Sequence, residues 1–377
     1  MAKVLVVSPT PTHPTIAGNR SCILSYVEVL KSQGNEVFFF WIINPVFSTN
    51  DFSETKDYWG RHFFYFKKNF LHRILEFFLR IINFRGTGYN RVDDLYPWGV
   101  KRMATKLQKQ FDFDVVIVNY VYLSKVLRCF GNSKKVLFTH DVFTNKFQRT
   151  GLDWFSLRPN DEAKALNRAD AVIAIQKFEE LFYSYLTTKP VFTSYNYFPI
   201  KKTIFSGNKN ILFISGANKY NIEGIDWFIN NVMNKLKEKL PAINLIIGGN
   251  ICSVLENKYS IYENVKFIGL VDNLLEFYSM GDVAINPVFN GTGLKIKSFE
   301  AMSFGKVLIA HPHSMEGIYD STNCPVKLAT SADEYVNLIV ELVNDDILNR
   351  ELSKASLNYI RKLNAEVERV FLKVVAC

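Results

Sequence analysis

The chain has 377 residues, of which 48% are hydrophobic and 21% charged, and its 45 basic and 36 acidic residues give a net charge of +9. It lacks any run of about 18 uncharged apolar residues, which excludes a transmembrane helix and indicates a globular protein. The length predicts two domains, and the positive charge favours an anionic partner, either nucleic acid, a membrane surface or a phosphorylated substrate.

The first elements alternate between strand and helix. "KVLVVSP" (3–9) and "NEVFFFWII" (35–43) predict buried strands, and "RSCILSYVEVLKSQG" (20–34) between them has apolar residues at helical spacing. Short buried strands that alternate with helices indicate a parallel sheet covered on both faces. The apolar run at the start is too short for a signal peptide, so we expect a cytoplasmic protein.

One segment departs from this alternation. "RHFFYFKKNFLHRILEFFLRIINFR" (61–85) is basic and aromatic, with Glu76 as its single acid. Such an amphipathic stretch binds anionic lipid headgroups with its apolar face in the interface, which predicts a peripheral contact at the inner face of the membrane. The alternative is a helix that packs on the first domain, as apolar residues at helical spacing usually do. The residues concerned are Phe70, Ile74, Phe77, Phe78, Ile81 and Ile82.

Three further strands in the first half are predicted to end in polar residues. Ligands of open parallel sheets bind beyond the carboxyl ends of the strands. His140 and Asp141 lie at such an end, and a histidine can change its charge near neutral pH, so both are candidate catalytic residues. The three strands are 114–120, 134–141 and 169–176, and their other terminal polar residues include Asn119 and Gln176.

The alternation breaks near residue 196 and then starts again. "YNYFPIKKTIFSGNKN" has Pro and Gly among polar residues and is predicted to be a linker. We expect an N-terminal domain over 1–195, a linker over 196–208 and a C-terminal domain over 209–377, whose last helix can pack back on the first domain. These would be two Rossmann-like α/β domains facing a cleft. The second half is predicted to have strands at 210–216, 244–249, 265–271, 282–288 and 306–312, and helices at 222–241, at 273–280 and from about 331.

Residues 290–306, "NGTGLKIKSFEAMSFGK", combine a glycine turn with a helix. Gly291 and Gly293 permit a tight turn with outward backbone N–H groups, and the helix adds its positive N-terminal end. This arrangement predicts an anion site. If the helix starts near Leu294, Lys297 and Glu300 share one exposed side, and Lys295 can bend toward a phosphate.

This lysine and glutamate pattern predicts a phosphate together with a sugar. A lysine supplies charge to a diphosphate, and a carboxylate can accept from both hydroxyls of a ribose. The alternative is a glycine-rich turn with solvated lysines, because GxG before a helix is a weak motif.

No metal site is predicted. The five cysteines are widely spaced and form no CxxC motif, and His311 and His313 have no third ligand nearby. Glu316 could equally reach a sugar or cap a helix, and Arg20 is equally suited to a phosphate contact or to solvent.

Several stretches resemble one known family. "NVKFIGLVDNLLEFYSMGDVAINPV", "GTGLKIKSFEAMSFGKVLIA" and "HSMEGI" are similar to the donor-binding half of retaining glycosyltransferases of the glycosyltransferase-B fold, family 4. "VVSPTPTHPTIAGNR", "THDVFTNK" and "LNRADAVIAIQKFEE" resemble its first half. The match spans most of the chain in the correct order, and the G-x-G-x-K-x-K variant resembles a subgroup that acts in bacterial surface polysaccharide assembly.

The resemblance implies a role for each matching residue. Glu300 would hold the ribose hydroxyls, the Gly291 turn would contact the phosphates or the sugar, and Val271 with Leu270 would frame the base. His140 would lie beside the transferred sugar. The implied donor-binding residues are Gly18, Lys219, Val271, Gly291, Thr292, Gly293, Leu294, Lys295, Lys297 and Glu300, and the implied catalytic residues are His140 and Asp141.

The resemblance also implies the reaction. A sugar would pass from a nucleoside diphosphate donor to a hydroxyl of a saccharide or lipid-linked saccharide with retention, without a metal or other cofactor, because lysines and a helix N-terminus stabilise the departing diphosphate. Domain closure would exclude water. The family commonly has a second glutamate eight residues before the first, where this chain has Thr292, which leaves the donor sugar open.

Two other functions are alternatives. A sugar-nucleotide epimerase of the same fold would need several carboxylates and histidines around the sugar. A nucleic-acid-binding protein would concentrate its basic residues on one helix or sheet, whereas here they are scattered and no nucleic-acid motif occurs, so we expect no nucleic-acid partner.

Overall fold

A computed structural model describes residues 1–15, 18–43, 47–151, 155–291 and 294–376, with the backbone alone at 80, 83–87 and 150. The chain divides into two compact units. The first comprises Met1–Tyr197 and Glu366–Cys377, and the second comprises Phe198–Ala365. In the described part of the chain, none of the helices combines the length and the apolar character needed to span a bilayer.

The first unit is an α/β unit with one parallel sheet. Its strands are β1 (Lys3–Ser8), β2 (Glu36–Ile43), β3 (Phe63–Lys67), β4 (Val115–Asn119), β5 (Lys134–Phe138), β6 (Ala171–Ala174) and β7 (Val191–Thr193). Its helices are α1 (Gly18–Ser32), α2 (Thr49–Trp59), α3 (Phe70–Thr87), α4 (Val100–Phe111), α5 (Lys146–Thr150), α6 (Pro159–Leu166) and α7 (Lys177–Leu186). The strand order is β3-β2-β1-β4-β5-β6-β7, all pairs being parallel.

The second unit repeats this design. Its strands are β8 (Asn210–Ile214), β9 (Asn244–Gly248), β10 (Val265–Phe267), β11 (Val283–Asn286), β12 (Val307–Ala310) and β13 (Lys327–Leu328), in the order β10-β9-β8-β11-β12-β13, again all parallel. Its helices are α8 (Lys219–Phe228), α9 (Asn234–Lys239), α10 (Cys252–Tyr259), α11 (Leu274–Ser279), α12 (Ile296–Ser303) and α13 (Ala332–Asn344). The last helix, α14 (Asp346–Val375), has residues in both units.

The central strands form because their apolar runs are covered on both faces. Four consecutive residues of β1, from Val4 to Val7, are fully buried, and β11 is buried along its whole length. Each unit has its own apolar core between sheet and helices. The predicted continuous apolar strands are therefore confirmed, since a sheet with two covered faces shows no alternation of polar and apolar residues.

Other predicted elements differ from the structure. The predicted helix 222–241 is divided by a π-helical turn at Ile229–Met233, and β10 ends at Phe267 instead of continuing to 271. Residues 63–67 form the edge strand β3, paired with β2, although this segment was assigned to one amphipathic stretch. The short edge strands β7 and β13 were not predicted, because their side chains are only partly buried and give no clear apolar run.

The packing alternative for residues 61–85 is wrong for α3. Most of the apolar side chains expected to pack on the first domain are exposed, with Phe70 70% and Phe77 59% accessible. The polar residues His72 and Glu76 instead face the first unit, where they find hydrogen-bonding partners. The predicted side chains of Arg80 and Arg85 lie outside the described residues.

Candidate functional site

The strand order of the second unit reverses between β8 and β11, a point where ligands of open α/β sheets bind. The loop after β11 leads into α12 and contains Gly291, whose φ of +100° is rarely adopted by other residues. A Cβ there would lie 2.8 Å from the Tyr220 ring, so the turn requires glycine. Thr292 and Gly293, predicted for the same turn, lie outside the described residues.

The helix α12 is fixed by its inward side. It begins at Ile296, two residues later than predicted, and Phe299 and Met302 are fully buried as expected from their spacing. Ser298 is also buried, and its hydroxyl accepts a 2.8 Å hydrogen bond from the Asn286 side chain at the end of β11. This contact links α12 to the carboxyl end of the central strand. The less buried positions of the helix include Lys297 and Glu300.

Lys297 reaches from α12 to the neighbouring loop after β8. Its ammonium donates a 2.6 Å hydrogen bond to Asn221 Oδ1, and its Nζ lies 3.4 Å from Ser215 Oγ and 4.8 Å from the Phe213 ring centroid. Burial, followed by the charge of Lys295, lowers the pKa of Lys297 to about 7. The interpretation of a solvated lysine is therefore wrong. An approaching anion would favour the protonated amine.

Glu300 lies one turn further along α12. Its Oε1 accepts a 3.1 Å hydrogen bond from the hydroxyl of Tyr278, a buried residue of α11 whose ring stacks on Phe304. Burial raises the pKa of Glu300, and the Tyr278 hydrogen bond partly offsets this rise. A carboxylate has about four acceptor positions, so Glu300 can accept from further donors such as vicinal hydroxyls.

Two other lysines differ in their surroundings. Lys295 immediately precedes α12, and burial lowers its pKa while the charge of Glu316 opposes this shift. Lys219 is the first residue of α8, and its side chain is 74% exposed with Nζ 3.7 Å from Glu223. The contact with Lys297 is instead made by Asn221, two residues after Lys219. Leu294 is partly buried, and its carbonyl accepts a 3.1 Å hydrogen bond from the Ile296 N–H.

His313 supports the glycine turn. Its Nε2 lies 2.8 Å from the Gly291 carbonyl oxygen and its Nδ1 lies 3.1 Å from Glu316 Oε1. Both partners accept hydrogen bonds, so a protonated imidazole satisfies both. His311 accepts a hydrogen bond from the His313 N–H, which makes this histidine pair part of the turn that follows β12.

The residues expected to frame a base lie after β10. Leu270 is 75% exposed, whereas Val271 is partly buried and packs above the end of β9. A Cβ at Gly248 would lie 2.7 Å from Val271 Cγ2, so a small residue is needed under this side chain. Gly249 donates a 2.7 Å hydrogen bond to the Gly269 carbonyl and holds the loop at the carboxyl edge of the sheet.

In the first unit, the ring of His140 is held on both sides. Its Nε2 lies 2.7 Å from Asn119 Oδ1, and its Nδ1 lies 3.8 Å from Cys22 Sγ. Asn119 Nδ2 donates to the Val7 carbonyl, so the amide oxygen must face the imidazole. We therefore assign the ring hydrogen to Nε2, with Nδ1 accepting from the thiol. The Tyr26 hydroxyl lies 3.1 Å from the same amide oxygen.

The surroundings of His140 favour a neutral imidazole. Burial lowers its pKa to about 3, and the rings of Tyr120 and Phe138 stack against it. The backbone of His140 has a φ of +63°, in the left-handed region that is uncommon for residues other than glycine. Such strain is concentrated at functional sites. The ring is suited to hydrogen bonding rather than to donating a proton as imidazolium.

The other candidates in the first unit have different environments. Asp141 forms a 2.5 Å ion pair with Lys146, and Gly18 is the exposed first residue of α1. Arg20 is buried and pairs with Asp51 at 2.5 Å, so neither the expected phosphate contact nor solvation applies to it. Within the described ranges, no group of three or more His, Cys, Asp or Glu residues is placed to hold a metal ion.

Sequence reasoning missed the partners of the predicted residues. Asn221 and Ser215 hold Lys297, and Tyr278 holds Glu300. Asn221 is three residues beyond the start of the "GANKYN" stretch that was examined for a basic ligand, so its polarity gave a signal that could have been used. Tyr278 gave none, because it occupies an apolar position of a short helix.

Known proteins are similar to both halves of the chain. Residues 208–345 match the family model for glycosyl transferases group 1. The whole chain is 24% identical to a 44.6 kDa protein in the cps region of Klebsiella pneumoniae, with 99% of both chains covered. The solved structure of Anabaena HepE with UDP and glucose is 14% identical, with a TM-score of 0.67 and full coverage of both chains. TarM of S. aureus is 13% identical with a TM-score of 0.69, covering 100% of this chain and 99% of TarM.

These likenesses establish the fold class. The chain has two parallel-sheet Rossmann-like domains of the glycosyltransferase-B fold, so the predicted fold class is confirmed. The family match to the second unit and the structural neighbours together support a glycosyltransferase. They do not favour the epimerase alternative.

Proposed function

We propose that this protein transfers a sugar from a nucleoside diphosphate sugar to a hydroxyl of a saccharide or lipid-linked saccharide, with retention and without a metal ion. The observation that carries the proposal is the placement of Lys297 and Glu300 on one helix at the switch point of the second sheet. An ammonium and a carboxylate three residues apart there offer one partner to a diphosphate and one to vicinal hydroxyls.

The donor site is assigned by chemical complementarity. Lys297, with Lys295 beside the same turn, supplies positive charge to the diphosphate, and the backbone of Gly291 and Leu294 lies next to it. Glu300 accepts from the ribose, and Val271 lies beside the base. Because a buried ammonium is poorly compensated by neutral Asn221 and Ser215, an anionic ligand gains a strong electrostatic interaction. The same charge stabilises the diphosphate as it leaves, which is why no metal is required.

His140 is assigned to the transferred sugar as a neutral hydrogen-bonding group. Its Nδ1 contact with Cys22 is 3.8 Å long and involves a weak thiol donor, so a sugar hydroxyl is a competitive partner. With a pKa lowered to about 3, the ring keeps the same neutral form across the physiological range. Asp141, paired with Lys146, is assigned to holding the loop that follows β5.

The comparisons support the substrate class. HepE has been crystallised with UDP-glucose, and TarM with UDP and a GlcNAc-glycerol compound. The Klebsiella relative belongs to a cps region, which supports a role in polysaccharide synthesis. A nucleic-acid ligand is not proposed.

The test begins by identifying the nucleotide. A thermal-shift panel of UDP-, GDP- and dTDP-sugars should show one series that raises the melting temperature, because a ligand that binds only the folded state stabilises it. Incubating that donor with candidate acceptors and recording the anomeric configuration of the product by NMR tests transfer and retention. A product of inverted configuration would exclude the retaining mechanism.

The ribose contact is tested by calorimetry with the nucleoside diphosphate found in the panel. Glu300→Ala should lower the affinity by roughly 100-fold, since a charged hydrogen-bonding partner is lost. Glu300→Gln keeps an oxygen for Tyr278 and separates this loss from damage to the fold. Glu263→Ala removes a carboxylate of the same unit that is 90% exposed and should change nothing. Unchanged affinity of Glu300→Ala for every nucleoside diphosphate would refute the assignment.

A further inference from the structure

The helix α3 turns its polar side toward the first unit. His72 is 7% exposed, and its Nε2 donates a 2.7 Å hydrogen bond to the carbonyl oxygen of Trp98. Glu76, one turn later, forms a 2.6 Å ion pair with Lys68, and both side chains are mostly buried. These polar contacts fix the rotation of the helix about its axis. The apolar side must consequently point away from the core.

The outward side of α3 is almost entirely apolar. In water, such a surface on one helix is unfavourable, because hydrophobic surface is stabilised by removal from solvent. Isolated exposed apolar residues are ordinary, but a continuous group on one helix marks an interaction surface. Eight large side chains of α3 are exposed, namely Phe70, Leu71, Ile74, Leu75, Phe77, Phe78, Leu79 and Ile82.

The exposed charges next to this surface are positive. Arg61, Lys67 and Arg73 are exposed, and Glu76, the acid of this segment, is neutralised by Lys68. A second copy of the chain would bring the same cations, on a protein of net charge +9, against one another. A surface with anionic groups above an apolar layer matches both features at once. Lipid bilayers with anionic headgroups have this arrangement.

We infer that α3 docks the protein on a bilayer that contains anionic lipid. The helix lies in the plane of the interface with its apolar side among the acyl chains, and Arg61, Lys67 and Arg73 contact the headgroup phosphates. The inference rests on the first unit alone and does not depend on the proposed sugar transfer. If both hold, docking would bring the enzyme to lipid-linked acceptors.

Vesicle flotation of the full chain tests the inference. The protein should float with vesicles of phosphatidylcholine and phosphatidylglycerol and bind much less to phosphatidylcholine alone. The double variant Phe77→Ser, Phe78→Ser should lower the partition constant by roughly 100-fold, because two large apolar side chains no longer enter the interface. The matched control is Phe178→Ser, Tyr185→Ser on α7, where the side chains are equally exposed and should not affect flotation.

A charge variant separates the two parts of the inference. Lys67→Glu and Arg73→Glu should each weaken binding to the anionic vesicles by about fivefold or more, and salt should do the same. Melting temperatures of all variants show whether the fold is kept. Equal binding to both vesicle types, or flotation that survives the double phenylalanine variant, would overturn the inference. So would an absence of flotation with a dimer in sedimentation velocity that the double variant abolishes, which would identify a second copy as the occupant.

Discussion

The helices α3 and α12 have similar patterns in sequence and opposite orientations in the structure. Both combine basic residues with apolar residues at helical spacing. In α12 the apolar Phe299 is fully buried, whereas in α3 the apolar Phe77 is 59% exposed. The difference shows that periodicity defines the two sides of a helix but does not decide which side faces the protein.

The polar residues decide the orientation. In α3, His72 and Glu76 find a carbonyl and an ammonium on the first unit, so burying them satisfies their hydrogen bonds. In α12, Lys297 finds only neutral oxygens, and its lowered pKa records an incomplete compensation of its charge. One helix thereby exposes an apolar surface, and the other retains a cation suited to an anionic ligand.

The largest expected effect compares one phenylalanine of each helix. Phe299→Ala should lower the free energy of unfolding by about 3–5 kcal/mol, because a fully buried ring is lost from the core. Phe77→Ala, at an exposed position, should change it by less than about 0.5 kcal/mol. Chemical denaturation of the full chain measures both. Comparable destabilisation by the two variants would mean that α3 is packed through its apolar side.

The second prediction compares one cation of each helix. Lys297→Met should lower nucleoside diphosphate affinity by roughly 100-fold, because a buried charge contact with phosphate is lost. The same variant should raise the melting temperature of the free protein, since it removes an amine that burial disfavours as a cation. Arg73→Met, at an exposed position of α3, should leave both quantities unchanged. Calorimetry and differential scanning fluorimetry measure the two effects, and a Lys297→Met variant with full affinity would exclude the phosphate contact.

The third prediction concerns pH. The folded-state pKa of Lys297, about 7, lies below the ordinary value of 10.5, so the unfolded chain binds this proton more tightly. Its contribution to stability therefore becomes more favourable as pH rises from about 7 to about 10.5. Nucleotide binding should show the opposite trend, weakening by about tenfold per pH unit above 7, because the ligand requires the ammonium form.

Calorimetry between about pH 6 and pH 9 tests this third prediction, and buffers of different ionisation enthalpy reveal the proton taken up on binding. Lys297→Arg is the control, because a guanidinium stays protonated throughout this range. A wild-type affinity that is as independent of pH as that of Lys297→Arg would contradict the lowered pKa.

The amino-acid sequence was sufficient to predict the two α/β units, most of the central strands and the loop and helix that contain Gly291, Lys297 and Glu300. These predictions succeeded because buried parallel strands, glycine turns and amphipathic helices leave patterns within a short stretch of chain. The resemblance added the correct fold class, because its motifs follow one another in order along most of the chain.

Only the tertiary structure decided what surrounds each of these residues. The hydrogen-bonding partner of Glu300 is 22 residues away in sequence, that of Lys297 is 76 residues away, and the thiol beside His140 is 118 residues away. Burial and partners at such separations set the charge of each group, and the contacts of His72 and Glu76 set the rotation of α3. Local patterns cannot contain this information, because it arises when distant segments pack against one another.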